Sequence, residues 1–181
     1  QLERTQYLEH SVPLYLTSSF VFEDAEDMRA SFAEEKERNI YSRYSNTNTN
    51  EFVDKVCNME GAEAGFAFAS GMAAVYSTFG ALLQSGDHIV SASSVFGATH
   101  SLFMKYFPKW NIETSYFDIN KPETIESFIK PNTKILFDEA PTNPAGDIIH
   151  LEVLRALAKK HNRILILDNC SATPYRQLPK R

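Results

Sequence analysis

The sequence predicts an α/β fold, a mostly parallel sheet with helices on both faces. Three observations carry this expectation. From Gly65 onward, strand-like and helix-like patterns alternate at least four times with short links between them. Near the end of the chain, Ile164-Leu165-Ile166-Leu167 is apolar without alternation, which predicts a strand covered on both faces. That run stops at a carboxylate, Asp168, and the carboxyl ends of parallel strands face the ligand crevice. In mid-strand such a group would be desolvated at heavy cost. At a strand end Asp168 can cap a loop, bind magnesium, hold a ribose or pair with a cofactor ring nitrogen.

The bulk numbers narrow the class. At 181 residues the chain is long enough for one sizeable core and short for two. A formal charge of −5 argues against nucleic acid or an anionic membrane as the main partner. No apolar run is long enough to span a bilayer, and no signal peptide is expected. Cys57 and Cys170 have neither metal-site nor disulfide spacing, which fits a reducing cytoplasm and no metal. Thirteen Phe and eight Tyr make the chain aromatic-rich, and most are expected in the core.

In chain order, residues 1–60 read as an N-terminal arm and helices lying on a neighbouring subunit, and 61–181 as the α/β part. A helix is expected within Glu23 to Glu37, where Phe22, Ala25, Met28 and Phe32 fall near helical spacing. Ser45 to Asn50 reads as a loop with a helix cap at its end. Glu51 to Glu60 reads as a helix with Phe52, Val53, Val56 and Met59 inward, stopped by Gly61. Gly65 to Ala69 reads as a short buried strand. Ser70 then caps a helix running to about Gln84. Strands are expected at His88 to Ser91, Ile112 to Phe117 and Lys134 to Phe137. Helices are expected at His100 to Phe107, closed by Pro108, at Pro122 to Ile129 and at His150 to His161.

Polar loops follow several strand ends on one predicted edge. Ser70-Gly71-Met72 opens a helix, whose first amides are unpaired and sit at the positive end of its dipole, suiting phosphate. The step is not a G-x-G-x-x-G, and no Gly-Lys-Ser/Thr is present, which disfavours nicotinamide dehydrogenases and P-loop enzymes. Phe96 lies after another strand, although alone it reads more readily as core. Asn143 stands between Pro141 and Pro144, rigid flanks able to aim an amide. A helix start, an aromatic ring, an amide and a carboxylate together describe a site for a phosphorylated cofactor whose ring nitrogen stays protonated. Pyridoxal phosphate meets that description.

Four segments in order carry a family resemblance: Tyr41-Ser42-Arg43-Tyr44, Phe68-Ala69-Ser70-Gly71-Met72-Ala73-Ala74, Glu139-Ala140-Pro141-Thr142-Asn143-Pro144, and Leu167-Asp168-Asn169-Cys170 with Ala172-Thr173-Pro174. Over nearly the whole chain, it resembles the pyridoxal-phosphate enzymes of cysteine and methionine metabolism. Tyr15 to Phe22, Ser94-Val95-Phe96-Gly97 and Asp168-Asn169-Cys170 look most like the O-succinylhomoserine sulfhydrylase branch. The resemblance implies the large cofactor-binding domain of the aminotransferase fold type I, incomplete at its carboxyl end. It implies a cytoplasmic enzyme, a dimer of dimers, that acts on an O-acylhomoserine and sulfide. Cystathionine γ-synthase and methionine γ-lyase are the alternatives within the family. Outside it stand a non-catalytic scaffold and a nucleotide-binding module.

The resemblance also implies roles. Gly71 and Met72 would give amides to the phosphate, and Tyr41 and Arg43 would reach the phosphate of a neighbouring subunit, Tyr41 also being catalytic. Phe96 would stack on the ring, Asn143 would bond its phenolic oxygen, and Asp168 would pair with its nitrogen. Many relatives, the lyases especially, have Tyr in place of Phe96, so its missing hydroxyl fits a sulfhydrylase better. Asn46-Thr47-Asn48, Ala140 and Ser171 also depart from the family pattern. The family's Schiff-base lysine lies in a Ser-x-Thr-Lys motif well beyond Asp168. Here only Lys180 follows, much too close, which implies a chain truncated before that lysine and before the C-terminal domain.

Overall fold

The computed structural model describes residues 4–178. The chain divides into two compact units, one running up to Ala67 and one from Phe68 onward.

In the first unit, α1 spans Ala25–Phe32, with Asp24 accepting the Asp27 amide as its N-cap. It is shorter than expected because Glu34 takes a left-handed backbone, φ 58°, just past the last turn. Asp27 is buried and ion-paired with Lys36 at 2.5 Å and with Arg38. The Lys36 ammonium holds the Asp27 carboxyl below the usual range. α2 spans Thr47–Glu60 and ends at Gly61 in the left-handed conformation, φ 65°, as the sequence predicts. The polar run before it is not a loop. Asn46 caps at the start, its side chain accepting the Asn48 amide at 2.9 Å, and Thr47 to Asn50 form the first helical turn. Asn48 meanwhile holds the N-terminal segment, donating to the Pro13 carbonyl at 2.7 Å and accepting the Tyr15 amide at 2.8 Å. The expected inward face of α2 is also corrected, since Phe52 and Met59 are exposed.

Gly65 to Ala69 is irregular rather than a buried strand, and Phe66 is 89% exposed. Among the described residues no strand borders it, so its N–H and C=O groups have no ladder to join.

In the second unit, α3 spans Gly71–Leu82, and the Ser70 hydroxyl accepts the Ala73 amide at 3.1 Å. Strand β1, His88–Ala92, is fully buried. Helix α4, Gly97–Ser101, runs into a π-helical turn at Leu102–Tyr106 and a 3-10 turn at Phe107–Trp110. The helix expected from His100 therefore starts earlier. Helix formation begins at Gly97, and Pro108 sits in a first turn, where its missing N–H costs nothing. Strand β2 covers Glu113–Phe117, and Pro122–Phe128 is 3-10 rather than α-helical. Strand β3 is Thr133–Glu139, α5 is Leu151–Lys160, β4 is Ile164–Asp168, and α6 is the single turn Thr173–Arg176.

The sheet order is β2-β1-β3-β4, and every pairing is parallel. Adjacent strand residues point to opposite faces, and β3 shows what covers each. Phe137 meets Phe79 of α3 at 5.3 Å and Phe103 at 5.5 Å between ring centres. Asp138, on the other face, shares a small space with Ile125 and Leu154 of α5. Helices thus lie on both faces. β4 is only half-buried, contrary to the reading of its apolar run, because among the described residues it is an edge strand with β3 alone beside it. Most aromatic residues are not core either. Five Phe are buried in the second unit, but Tyr7, Tyr44, Phe52, Phe66 and Tyr175 are largely exposed.

One buried group staples the opposite edge of the sheet. His88 has no exposed surface, and its ring nitrogens bond Thr133 Oγ1 at 2.7 Å and Ser115 Oγ at 2.9 Å. Burial pushes its pKa down to about 4, so the ring is neutral and structural.

Candidate active site

Because all four strands are parallel, β1, β3 and β4 deliver Ala92, Glu139 and Asp168 to one edge. Asp168 is half-buried there. Its Oδ1 accepts the Cys170 amide at 3.1 Å, so one oxygen turns the loop. Among the described residues, Oδ2 has no hydrogen-bond partner, which leaves it open to a ligand. The bland and functional readings of this residue are therefore compatible.

Glu139 stands directly across from Asp168 in the β3–β4 register, and the Ala140 amide donates to the Asp168 carbonyl at 3.0 Å. The Glu139 carboxylate accepts the Phe96 backbone N–H at 2.6 Å, and the Asn143 backbone N–H stabilises its charged form. Burial, first, and the neighbouring Asp168 charge push the Glu139 pKa up, while those two N–H groups oppose the rise. Through Glu139, then, the structure ties the Phe96 main chain to the strand edge that carries Asp168.

Phe96 precedes α4 and leaves its ring 41% exposed, so it is not the core residue its composition suggested. Asn143 is exposed on a turn closed by Thr142 and Asp147, whose amide donates to Thr142 Oγ1 at 2.9 Å. The start of α3 reaches the same region, for Met72 Sδ lies 3.9 Å from Thr99 Oγ1 in α4. A Cβ on Gly71 would meet nothing within 4 Å, so the helix start opens onto free space. Ser70 takes up the Ala73 amide and leaves those of Gly71 and Met72 available.

Tyr41 and Arg43 belong to the first unit. Tyr41 bridges Ser19 in an antiparallel contact, and the Arg43 guanidinium lies 5.0 Å from the Tyr41 ring centre and 5.5 Å from that of Tyr44. Lys180, on which the expectation of truncation turned, lies outside the described residues. Sequence reasoning missed Glu139 as a functional residue. The apolar run Ile135-Leu136-Phe137 is closed by Asp138, and nothing local marks the acid one residue further on.

This arrangement offers unpaired helix-start amides, an aromatic face and an acidic pair near the carboxyl edge of the sheet. Residues 1–180 match a family described as Cys/Met metabolism PLP-dependent enzyme. An O-succinylhomoserine sulfhydrylase of Pseudomonas aeruginosa is 41% identical over 97% of this chain and 44% of its own length. An L-methionine gamma-lyase of Fusobacterium nucleatum is 36% identical over 93% of this chain and 43% of its own. A crystal structure from Campylobacter jejuni, assigned as an O-acetylhomoserine (thiol)-lyase and containing N'-pyridoxyl-lysine-5'-monophosphate, superposes with a TM-score of 0.93. It is 33% identical and covers 98% of this chain and 44% of its own. The chain thus spans under half the length of the relatives it matches.

Proposed function

This chain belongs to the Cys/Met metabolism PLP-dependent enzymes, and from that membership we propose that its parent protein is an O-acylhomoserine sulfhydrylase. O-Succinylhomoserine is the first-choice substrate. Sulfide displaces the acyl group at the γ-carbon, giving homocysteine and the free acid.

The residues present fit the cofactor. Its phosphate needs amides and room, and the start of α3 has both at Gly71 and Met72. Its ring needs an apolar face, which Phe96 presents. Its nitrogen needs an anion, and Asp168 has a free oxygen beside a second carboxylate. When bound, pyridoxal phosphate supplies an electron-withdrawing ring that stabilises negative charge developing on the substrate. Asp168 would keep the ring nitrogen protonated, Asn143 would donate to the phenolic oxygen, and Phe96 would stack on the ring. Tyr41 and Arg43 are assigned to the phosphate of a neighbouring subunit in a homo-oligomer, a dimer of dimers. Arg43 suits that role through its planar, bidentate fork, and Tyr41, whose ring lies 5.0 Å from the Arg43 guanidinium, is assigned a catalytic part beside it.

One observation carries the choice of reaction. Phe96 is exposed ahead of α4 and has no hydroxyl, so it can stack but cannot shuttle a proton as a tyrosine could. That favours replacement by sulfide over elimination. Methionine γ-lyase is the second reading, supported by the 36% identity to such a lyase. The test is to give the full-length protein O-succinylhomoserine with sulfide, then methionine alone. Homocysteine from the first and no methanethiol from the second supports the sulfhydrylase. The reverse pattern supports the lyase.

A further inference from the structure

We propose that Glu139 is a positioning residue, whose carboxylate holds the Phe96 main chain at the strand edge that Glu139 shares with Asp168. The inference rests on the cofactor site read above and assigns a residue that makes no cofactor contact of its own.

The geometry is that of a clamp. Glu139 is only 5% exposed, and its carboxylate accepts the amide of Phe96, more than forty residues away in sequence, while the Asn143 amide also favours its charged form. The Phe96 N–H contact, at 2.6 Å, is short and charge-assisted. Phe96 is also the last residue before α4, and no side chain caps that helix. The orientation of its ring therefore depends on where its backbone is tied. An acid buried at this position without a function would be a poor choice, because its desolvation is offset only by those two amides.

Its charge has a second effect. The charged groups facing Glu139 are Asp168 on β4 and, one residue back on the other face of β3, Asp138. All are acids. Two carboxylates in register repel each other unless a cation lies near, so Glu139 strengthens the pull of Asp168 on a protonated nitrogen. Replacing it by a neutral amide removes that pull and substitutes a donor where two donors already point.

The test uses full-length protein labelled with [15N]phenylalanine, and pyridoxine 5'-phosphate, an alcohol that cannot form an imine and so reports only non-covalent grip. The Phe96 amide resonance of the wild type should shift with a single inflection above the ordinary glutamate range. That inflection should vanish in Glu139→Gln. The dissociation constant for pyridoxine 5'-phosphate should rise about tenfold in that variant, as when the outer partner of a ligand-holding side chain is lost, with the thermal midpoint little changed. A Phe96 amide indifferent to pH overturns the proposal, and this measurement needs no variant to fold. Wild-type affinity in a folded Glu139→Gln overturns it also. Asp168→Asn separates the two levels. If it too binds like wild type, the reading of the cofactor site fails. If it binds weakly while Glu139→Gln binds normally, only the role of Glu139 fails.

Discussion

Glu139 on β3 and Asp168 on β4 face each other in register at the carboxyl edge of the sheet, and the main chain joins them again where the Ala140 amide meets the Asp168 carbonyl at 3.0 Å. Each ends an apolar strand. The parallel pairing of β3 and β4 is what turns two distant acids into one feature.

The helix start that faces this edge depends on one hydroxyl. Ser70 accepts the Ala73 amide, so Ser70→Ala should cost about 1 kcal/mol of stability. It should also weaken pyridoxine 5'-phosphate binding, because a frayed first turn no longer aims its amides. Thermal denaturation and equilibrium dialysis check both effects. Unchanged stability would mean that α3 is held by packing alone.

Asp138 is a buried acid that the proposed chemistry does not use. It is wholly inaccessible, Oδ1 accepts its neighbour's amide at 2.8 Å, and Oδ2 is buried without a partner. Burial raises its pKa from 3.8 to about 7. The folded state therefore prefers the neutral acid, and its contribution to stability is fully present below about pH 4 and lost as pH rises to about 7. Asp138→Asn keeps the acceptor and removes the charge. It should raise the thermal midpoint at pH 8 and converge with wild type below pH 4. A destabilised variant at pH 8 would contradict this.

His88 has the opposite sign. Its folded pKa is about 4, below the usual 6.5, so its contribution is intact above pH 6.5 and is lost as pH falls toward 4. His88→Leu should remove that acid sensitivity while leaving the Thr133 and Ser115 hydroxyls without their ring partner, costing about 2–4 kcal/mol at neutral pH. Stability measured from pH 7 to pH 4 checks both parts.

The residues that were legible in the sequence share a local cause. Ser70, Gly61 and Asp168 lie at ends of elements, where capping chemistry and strand termination are written in adjacent residues. Parallel strands were legible as uninterrupted apolar runs. What stayed hidden depends on partners far along the chain. Phe66 and Phe68 look like strand residues, but a strand needs a neighbour to bond, and none borders them among the described residues. Ile164 to Leu167 reads as covered on both faces, but its position at the sheet edge follows from topology. Glu139 was overlooked for the same reason. Its importance lies in amides at Phe96 and Asn143, and local patterning does not reveal them.

The account depends most on Asp168 as the anion that keeps a cofactor ring nitrogen charged. The direct measurement is the 15N chemical shift of that nitrogen in labelled pyridoxal phosphate bound to the full-length protein at about pH 8, where a free pyridine nitrogen would have no proton without an anion beside it. The predicted result is a protonated shift in the wild type that becomes an unprotonated one in Asp168→Asn. An unprotonated nitrogen in the wild type, or the same shift in both proteins, would contradict the account.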